Sequence, residues 1–272
     1  MIGKTVFKFL VVMILVLLTP LAIAHDETSE LDDGIKLKTQ AMSVIMVTSI
    51  LVTALVILAI ISKRKFHNHK KMLFLLMIIP VIAATVYTAG ITIYLNQISL
   101  TNGPVHWHAD FEVWNCGRKM DLLNPNGLSN RIGTPVFHEH NDFRIHVEGV
   151  VVNRKDVSLT NFFNVVGGVL TPESIAVPTN DEIVLLRNGE ACNEKPGKVQ
   201  VFVYKVVNPE EAGKWIYQQE KIENFADYVL SPYSIVPPGD CIIIEFDLEK
   251  EKTDKICTTY EAAVNIGELH GG

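Results

Sequence analysis

Two long apolar runs occupy much of the chain before residue 100. Residues 41–62 and 72–95 contain no Asp, Glu, Lys or Arg, and each is long enough for a helix to cross the ~30 Å hydrocarbon core of a bilayer. The pattern therefore predicts a transmembrane helix over each range. Neither run contains a charged side chain of the kind that marks an ion or proton path, so the pair is typical of a membrane anchor.

A third apolar run stands at the start of the chain. Lys4 and Lys8 precede it, and Ala22-Ile23-Ala24 offers small residues at the positions that a signal peptidase reads. We therefore predict a signal peptide over residues 1–24. The run is almost as long as a membrane span, so an uncleaved first transmembrane helix is the alternative.

Charge around the first predicted helix indicates its orientation. The hairpin at residues 63–71 holds five Lys and Arg side chains, whereas residues 25–40 are rich in Asp and Glu. Loops rich in Lys and Arg stay in the cytoplasm, so the hairpin is predicted to be cytoplasmic. Residues 101–272 are then extracytoplasmic and tethered to membrane lipid, whether residues 1–24 are removed or kept.

Short alternating or β-branched runs, separated by turn signals, fill residues 101–272. They predict a mainly antiparallel β domain, built as a sandwich or a barrel. The predicted strands cover residues 105–113, 143–152, 182–186, 198–207 and 241–247. One or two short helices are expected, first at residues 159–166 and then at either 210–219 or 223–230. The polar residues after about 249 carry no clear pattern.

The charge of this domain limits its classes of partner. Residues 101–272 contain 15 basic and 25 acidic side chains and no basic stripe. Nucleic-acid binding requires clustered Lys and Arg that neutralise phosphates, so nucleic acid is excluded as a partner. No sequence feature identifies a protein partner.

All four cysteines fall within the predicted extracytoplasmic domain: Cys116, Cys192, Cys241 and Cys257. Thiols normally oxidise in that compartment, so we expect two disulfides. The sequence leaves the three possible pairings open. No two cysteines form a CxxC motif, which argues against a zinc ribbon or a thioredoxin-like site.

Histidines are concentrated in one short part of the domain, because five of the nine lie in a 41-residue window. In VHWHADFEV, apolar residues alternate with polar ones, and side chains two apart on a strand share a face. FRIHVEG repeats this alternation, and FHEHND adds a second His-x-His pair. If the two strands pair, the imidazoles of His106, His108 and His146 fall on one face, and FHEHND can bring His138 and His140 over the same surface.

Imidazoles converging at this density predict a metal site, because neutral imidazole is the commonest protein ligand for zinc and copper. Three histidines with an open position would suit a metal-activated water, whereas four or more would suit storage, sensing or transfer. Nearby carboxylates could accept the ring N–H groups and so orient the ligands. The candidates for that role are Asp110, Glu139, Asp142 and Glu148.

Three functions remain open. The leading hypothesis is a membrane-tethered extracytoplasmic protein that binds copper or zinc. The second is a metal-dependent hydrolase with Glu139 or Glu148 as general base, although the chain lacks HExxH and GxSxG motifs. The third is an envelope structural or interaction module whose histidines only form hydrogen bonds. The sequence assigns no catalytic residue.

The segments HWHADFEVWNCG, FHEHND and RIHVEG, followed by LTNFFNVVGG, resemble a poorly characterised family of archaeal and bacterial membrane-anchored extracytoplasmic proteins with a His-rich domain. The resemblance covers roughly residues 105–168, and PPGDCIIIEFD is similar to members that carry the same anchor. Asn141 precedes Asp142 here, where other members have Asp directly after the second pair. The resemblance implies the domain boundaries and the choice of histidines, and it implies no named activity.

Overall fold

The computed structural model describes residues 33–61 and 69–272. The predicted signal segment at residues 1–24 lies outside the described residues, as does most of the predicted basic hairpin at 63–71. The described chain divides into two units, and the second of them comprises Ser99–Gly272.

The first unit contains the two long apolar helices that the sequence predicts. Helix α1 spans Asp33–Ile61 and helix α2 spans Lys70–Ile98. Leu55 and Leu76 are buried where the two helices pack, and most other large apolar side chains of both helices are exposed. Both helices are long and apolar enough to cross a membrane.

The second unit is dominated by β structure. Its strands, in chain order, are β1 (Pro104–Asn115), β2 (Arg118–Met120), β3 (Ile132–Gly133), β4 (Phe137–Glu139), β5 (Arg144–Val150), β6 (Val169–Thr171), β7 (Ser174–Pro178), β8 (Ile183–Arg187), β9 (Ala191–Cys192), β10 (Lys195–Pro196), β11 (Lys198–Val206), β12 (Trp215–Lys221), β13 (Cys241–Asp247) and β14 (Leu269–Gly271). Two α-helices accompany them, α3 (Leu159–Val165) and α4 (Thr258–Asn265).

Nine strands form one large sheet in the spatial order β14-β12-β11-β13-β1-β5-β4-β3, with β2 paired to β1. The sheet is mainly antiparallel but mixed, because β1 pairs with β13 and β12 pairs with β14 in parallel. Strands β6, β7 and β8 form a separate three-stranded sheet, and β9 and β10 form a two-stranded one. The predicted β domain with few helices is thus confirmed at this level.

Each face of the large sheet has its own apolar core. One face, which we call the apolar face, carries Ala109 and Phe111 of β1 and packs against α3 and β7. The opposite face carries Phe202 and Ile243 and packs against Tyr260 of α4. The even-numbered residues of β1, including the histidines, project from this second face, which we call the histidine face.

The predicted strands are all present, and the helix at residues 159–166 is confirmed, with Ser158 accepting a hydrogen bond from the backbone N–H of Asn161. The second predicted helix is wrong. Residues 215–221 form β12 instead, with alternating burial that suits a strand, and residues 225–227 form only a 3-10 turn. The polar tail contains α4 and β14, which no pattern in the sequence predicts.

Both expected disulfides are present, and the structure defines the pairing. Cys116 is bonded to Cys192, and Cys241 is bonded to Cys257, with Cα–Cα distances of 5.5 and 5.7 Å. The second bond fixes the residue before α4 to the first residue of β13. It therefore ties α4 to the sheet that the helix covers.

Candidate metal centre

Strand pairing brings three of the predicted histidines into one row. His108 of β1 lies opposite His146 of β5, and His146 lies opposite His138 of β4. Directly paired residues on adjacent strands point to the same face, so the three rings share the histidine face. The ring centroids of His108 and His146 are 4.6 Å apart, and those of His138 and His146 are 5.3 Å apart.

The remaining two histidines extend this row at its ends. His106 lies two residues before His108, and their Nε2 atoms are 3.0 Å apart. His140 follows β4, and its ring centroid lies 4.7 Å from that of His138 and 4.8 Å from that of His146. Asn141 turns the chain here with φ 63°, a left-handed conformation that asparagine adopts more readily than most residues.

The five histidines form two potential ligand groups that share one ring. The first group contains His106, His108, His146 and Glu148, and the second contains His138, His140 and His146. Within each group the candidate ligand atoms all lie within 4.8 Å of one another. The structure therefore brings together every histidine that the sequence singled out.

Two of the rings are oriented by backbone carbonyls. The Nδ1 atom of His108 lies 2.5 Å from the carbonyl oxygen of Ser234, and that of His140 is hydrogen-bonded to the carbonyl oxygen of Asn130. A carbonyl oxygen only accepts, so each Nδ1 must carry the proton. The Nε2 atom of each neutral ring is then unprotonated, which is the form that binds metals. In this structure the Nε2 of His108 accepts a hydrogen bond from Nε2–H of His106.

His146 is oriented by a carboxylate and presents its other nitrogen. Its Nε2 lies 3.2 Å from Oδ2 of Asp142, so Nε2–H donates to the carboxylate and Nδ1 carries the lone pair. That Nδ1 is buried without a hydrogen-bond partner among the described residues, and the same holds for Nδ1 of His138. A buried polar atom without a partner costs free energy unless something binds it.

The environment also keeps these rings neutral. Burial lowers the pKa of His108, and the nearby His146 lowers it further. Burial likewise lowers the pKa of His138, and His140 adds to the effect. Since the ordinary pKa of histidine is about 6.5, both rings are neutral at neutral pH and can act as ligands.

The four candidate carboxylates lie in different surroundings. Asp142 bonds His146, and Glu148 Oε1 lies 3.4 Å from Nε2 of His106. Asp110 instead accepts hydrogen bonds from Arg144, at 2.7 Å, and from the hydroxyl of Thr259. It contacts no histidine ring in the hydrogen bonds of the described chain.

Glu139 is set apart from the rings by strand alternation. It follows His138 in β4, so it is directed to the same side as Phe137, and its Oε2 accepts the backbone N–H of Asn141 at 2.5 Å. Its other oxygen is buried without a partner among the described residues. Burial raises the pKa of Glu139 to about 7, because the charged form is poorly solvated there.

The groups that fix His108 and His140 cannot be recognised in the sequence. Ser234 and Asn130 act through main-chain oxygens, which any residue supplies, so no side-chain motif marks them. One indirect signal exists in PPGD, since a Cβ added at Gly239 would overlap the carbonyl oxygen of His108. The glycine thus allows the loop after β12 to lie close to β1, where Ser234 reaches the ring.

Comparison with family models, with curated proteins and with solved structures gives no match to this chain. Any functional argument must therefore start from the geometry of the site. Chemically, the cluster offers several neutral imidazole nitrogens, with Glu148 as an additional oxygen ligand. Such a donor set suits zinc or copper better than magnesium or calcium, which prefer oxygen.

Proposed function

We propose that the protein is a membrane-tethered, extracytoplasmic metal-binding protein that holds a copper or zinc ion among the histidines of β1, β4 and β5. One observation carries this proposal. Three of the rings, His108, His140 and His146, each have one nitrogen held by a fixed acceptor. Metal-binding histidines are oriented in this way, with the second nitrogen left for the ion.

The burial of the free nitrogens favours a ligand over a purely structural role. Histidines that only stabilise a fold satisfy both ring nitrogens with protein groups or water. His138 is 2% exposed and His146 is 9% exposed, and each has an unpartnered buried Nδ1 in the described chain. An ion would satisfy lone pairs whose burial otherwise costs roughly 1–3 kcal/mol each.

The spacing of the first His-x-His pair is compatible with either metal. Two nitrogens at ~2.05 Å from a shared ion lie about 3.3 Å apart at the tetrahedral angle and about 2.9 Å apart at a right angle. The observed separation of 3.0 Å between Nε2 of His106 and Nε2 of His108 lies between these values. Zinc and copper therefore both remain in the proposal.

The tether and the location are supported by the first unit and by charge. Helices α1 and α2 have the length and apolar composition of membrane spans, and five basic residues stand in the segment between the two apolar runs. The positive-inside rule then assigns the β domain to the outer face. The two disulfides of that domain suit an oxidising compartment.

The test is metal analysis of the full chain, purified in detergent without a histidine tag. We expect a stoichiometric amount of zinc or copper after exposure to either ion, and its loss in His108→Ala and His146→Ala variants. His270→Ala is the matched control, because His270 is exposed in β14, outside the cluster. The proposal fails if the wild-type chain takes up no ion, or if the control loses as much metal as the cluster variants.

A further inference from the structure

The two ligand groups meet at a single side chain. His146 belongs both to the group with His106, His108 and Glu148 and to the group with His138 and His140. Its Nε2 is hydrogen-bonded to Asp142, so Nδ1 is its one unoccupied nitrogen. While that hydrogen bond persists, His146 can complete one group or the other, but it cannot serve as a ligand in both.

One member of each group differs sharply from the others in its access to solvent, whereas His108 and His140 are both half-buried. The side chains of His106 and Glu148 are 61% and 43% exposed, whereas His138 is only 2% exposed. We call His106, His108 and Glu148 the outer group and His138 and His140 the inner group. An ion arriving from solution, or from a donor molecule, can reach the outer group first.

We propose that the outer and inner groups are two successive positions for one ion, and that His146 transfers the ion between them. Such a transfer rests on the metal-binding function proposed above. The ion enters on the outer group with His146 as an additional ligand. It then exchanges His106, His108 and Glu148 for His138 and His140 while His146 stays bound. The transfer is a ligand exchange, with no change of oxidation state.

The exchange requires no proton transfer at the three rings in which a hydrogen bond fixes the protonated nitrogen. His108 and His140 keep their Nδ1 protons on carbonyl oxygens, and His146 keeps its Nε2 proton on Asp142. Each ring therefore presents an unprotonated nitrogen before, during and after the transfer. The ring centroid of His146 lies 4.6 Å from that of His108 and 4.8 Å from that of His140, so the ion would move only a short distance.

The arrangement gives the two positions different tasks. The outer group exchanges ions with a small chelate or a donor protein, because an exposed ligand can be replaced by an incoming one. The inner group retains the ion, because its ligand His138 is buried and a buried ligand is less readily replaced from solvent. A protein that accepts an ion on its surface and stores it below that surface is suited to metal capture.

The inference is tested with Co²⁺ as an optical probe, added to the full metal-free chain in detergent and followed by stopped-flow absorption. We expect one Co²⁺ per chain and two phases, a fast one whose rate rises with Co²⁺ concentration and a slow one whose rate does not. His106→Ala should slow the fast phase about tenfold or more while leaving final occupancy intact. His140→Ala should abolish the slow phase, and His270→Ala should change neither.

Three outcomes would overturn the transfer. Two Co²⁺ ions per chain would mean that both groups fill together and that His146 bridges them through both nitrogens. A single kinetic phase with one ion would mean one shared site, and it would leave the proposed metal-binding function standing. Absence of Co²⁺, Zn²⁺ and Cu²⁺ binding altogether would overturn both proposals.

Discussion

The histidine face of the large sheet has two halves with different chemistry. In the half formed by β11, β12 and β13, which we call the covered half, Phe202 and Ile243 lie fully buried near α4. In the half formed by β4, β5 and the start of β1, which we call the histidine half, the same face carries imidazoles. Strands β11 and β13 are buried on both faces along most of their length, whereas β1 and β5 alternate apolar and polar residues, so the halves already differ in their sequence pattern.

The boundary between the halves runs along β1. Asp110 and Glu112 lie next to the paired Cys241 and Ile243 of β13, and both carboxylates are almost fully buried. Asp110 bonds Arg144 of β5 on one side and Thr259 of α4 on the other. Where α4 covers the face, the polar residues that remain, such as Asp110, are paired with hydrogen-bonding neighbours, whereas His138 and His146 of the other half keep a buried ring nitrogen without a partner among the described residues. We therefore expect mutations in one half to affect stability and those in the other to affect metal binding.

The largest expected effect is on stability, from Phe202→Ala in the covered half. Phe202 is 0% exposed, and truncating a buried Phe costs about 3–5 kcal/mol of unfolding free energy. Chemical denaturation of the metal-free protein measures this loss, with Ile216→Ala, on an exposed position of β12, as the control. Metal affinity should stay within about threefold of wild type. A larger loss of affinity in protein that is still folded would show that the halves are coupled.

The next effect comes from removing the bond that ties α4 to the sheet. Replacing Cys241 and Cys257 together by Ala opens a loop with a sequence separation of 16, and loops of that size contribute about 3 kcal/mol. Denaturation under non-reducing conditions measures the loss. Because α4 covers apolar side chains of the covered half, loosening the helix should expose them. The variant should therefore also bind more of a hydrophobic dye. Unchanged stability would mean that tying α4 to the sheet does not stabilise the covered half.

A smaller effect, confined to the histidine half, is expected from Asp142→Asn. The variant replaces the carboxylate that holds Nε2–H of His146, and such changes lower metal affinity about 10- to 100-fold, or about 1.4–2.7 kcal/mol. Competition with a chelating dye measures the affinity. Asp181→Asn, an exposed change of the same charge, is the control. Equal affinities in the two variants would contradict the role of Asp142 in orienting the ring.

Much of this site could be predicted from the sequence because the alternation of apolar and polar residues along a strand can be recognised within a short segment. HWHADFEV and FRIHVEG both predict strands with one apolar and one polar side, and the register of β1 and β5 indeed pairs His108 with His146. Pairing of these two strands accounts for His106, His108 and His146, while His138 and His140 also require that β4 pairs with β5. Their pairing is antiparallel and joins segments that are close in the chain.

The rest depended on contacts between distant segments. The carbonyl of Ser234 meets His108 across 126 residues, and a main-chain oxygen leaves no trace in residue identity. Helix α4 has only eight residues, too few for a clear apolar period. The segment that forms β12 overlaps residues 210–219, one of the two alternatives for a second helix, and polar residues such as Gln218 and Gln219 suit either a helix or a strand. Its pairing with β11 decided the outcome.

The smallest expected effect is a pH dependence on the face of β4 opposite His138, from Glu139→Gln. Burial raises the pKa of Glu139 to about 7 in the folded protein, from an ordinary value of 4.5. Between these values the unfolded chain has released its proton and the folded chain still holds it, so stability is lost as pH rises through 7. The glutamine has no proton to lose, and its side-chain oxygen can still accept the N–H of Asn141.

Unfolding free energies of the metal-free protein at pH 5 and pH 8 measure this effect. We expect Glu139→Gln to gain stability relative to wild type on going from pH 5 to pH 8, whereas the exposed Glu173→Gln should show no such gain. The lowered pKa values of His108 and His138 have the opposite effect, because they make the folded protein less stable as pH falls below about 6.5. Since both variants retain those histidines, the difference between them isolates the carboxyl group. A difference that does not change with pH would mean that Glu139 is already ionised in the folded protein at pH 5, and that β4 carries a buried negative charge on the face opposite His138.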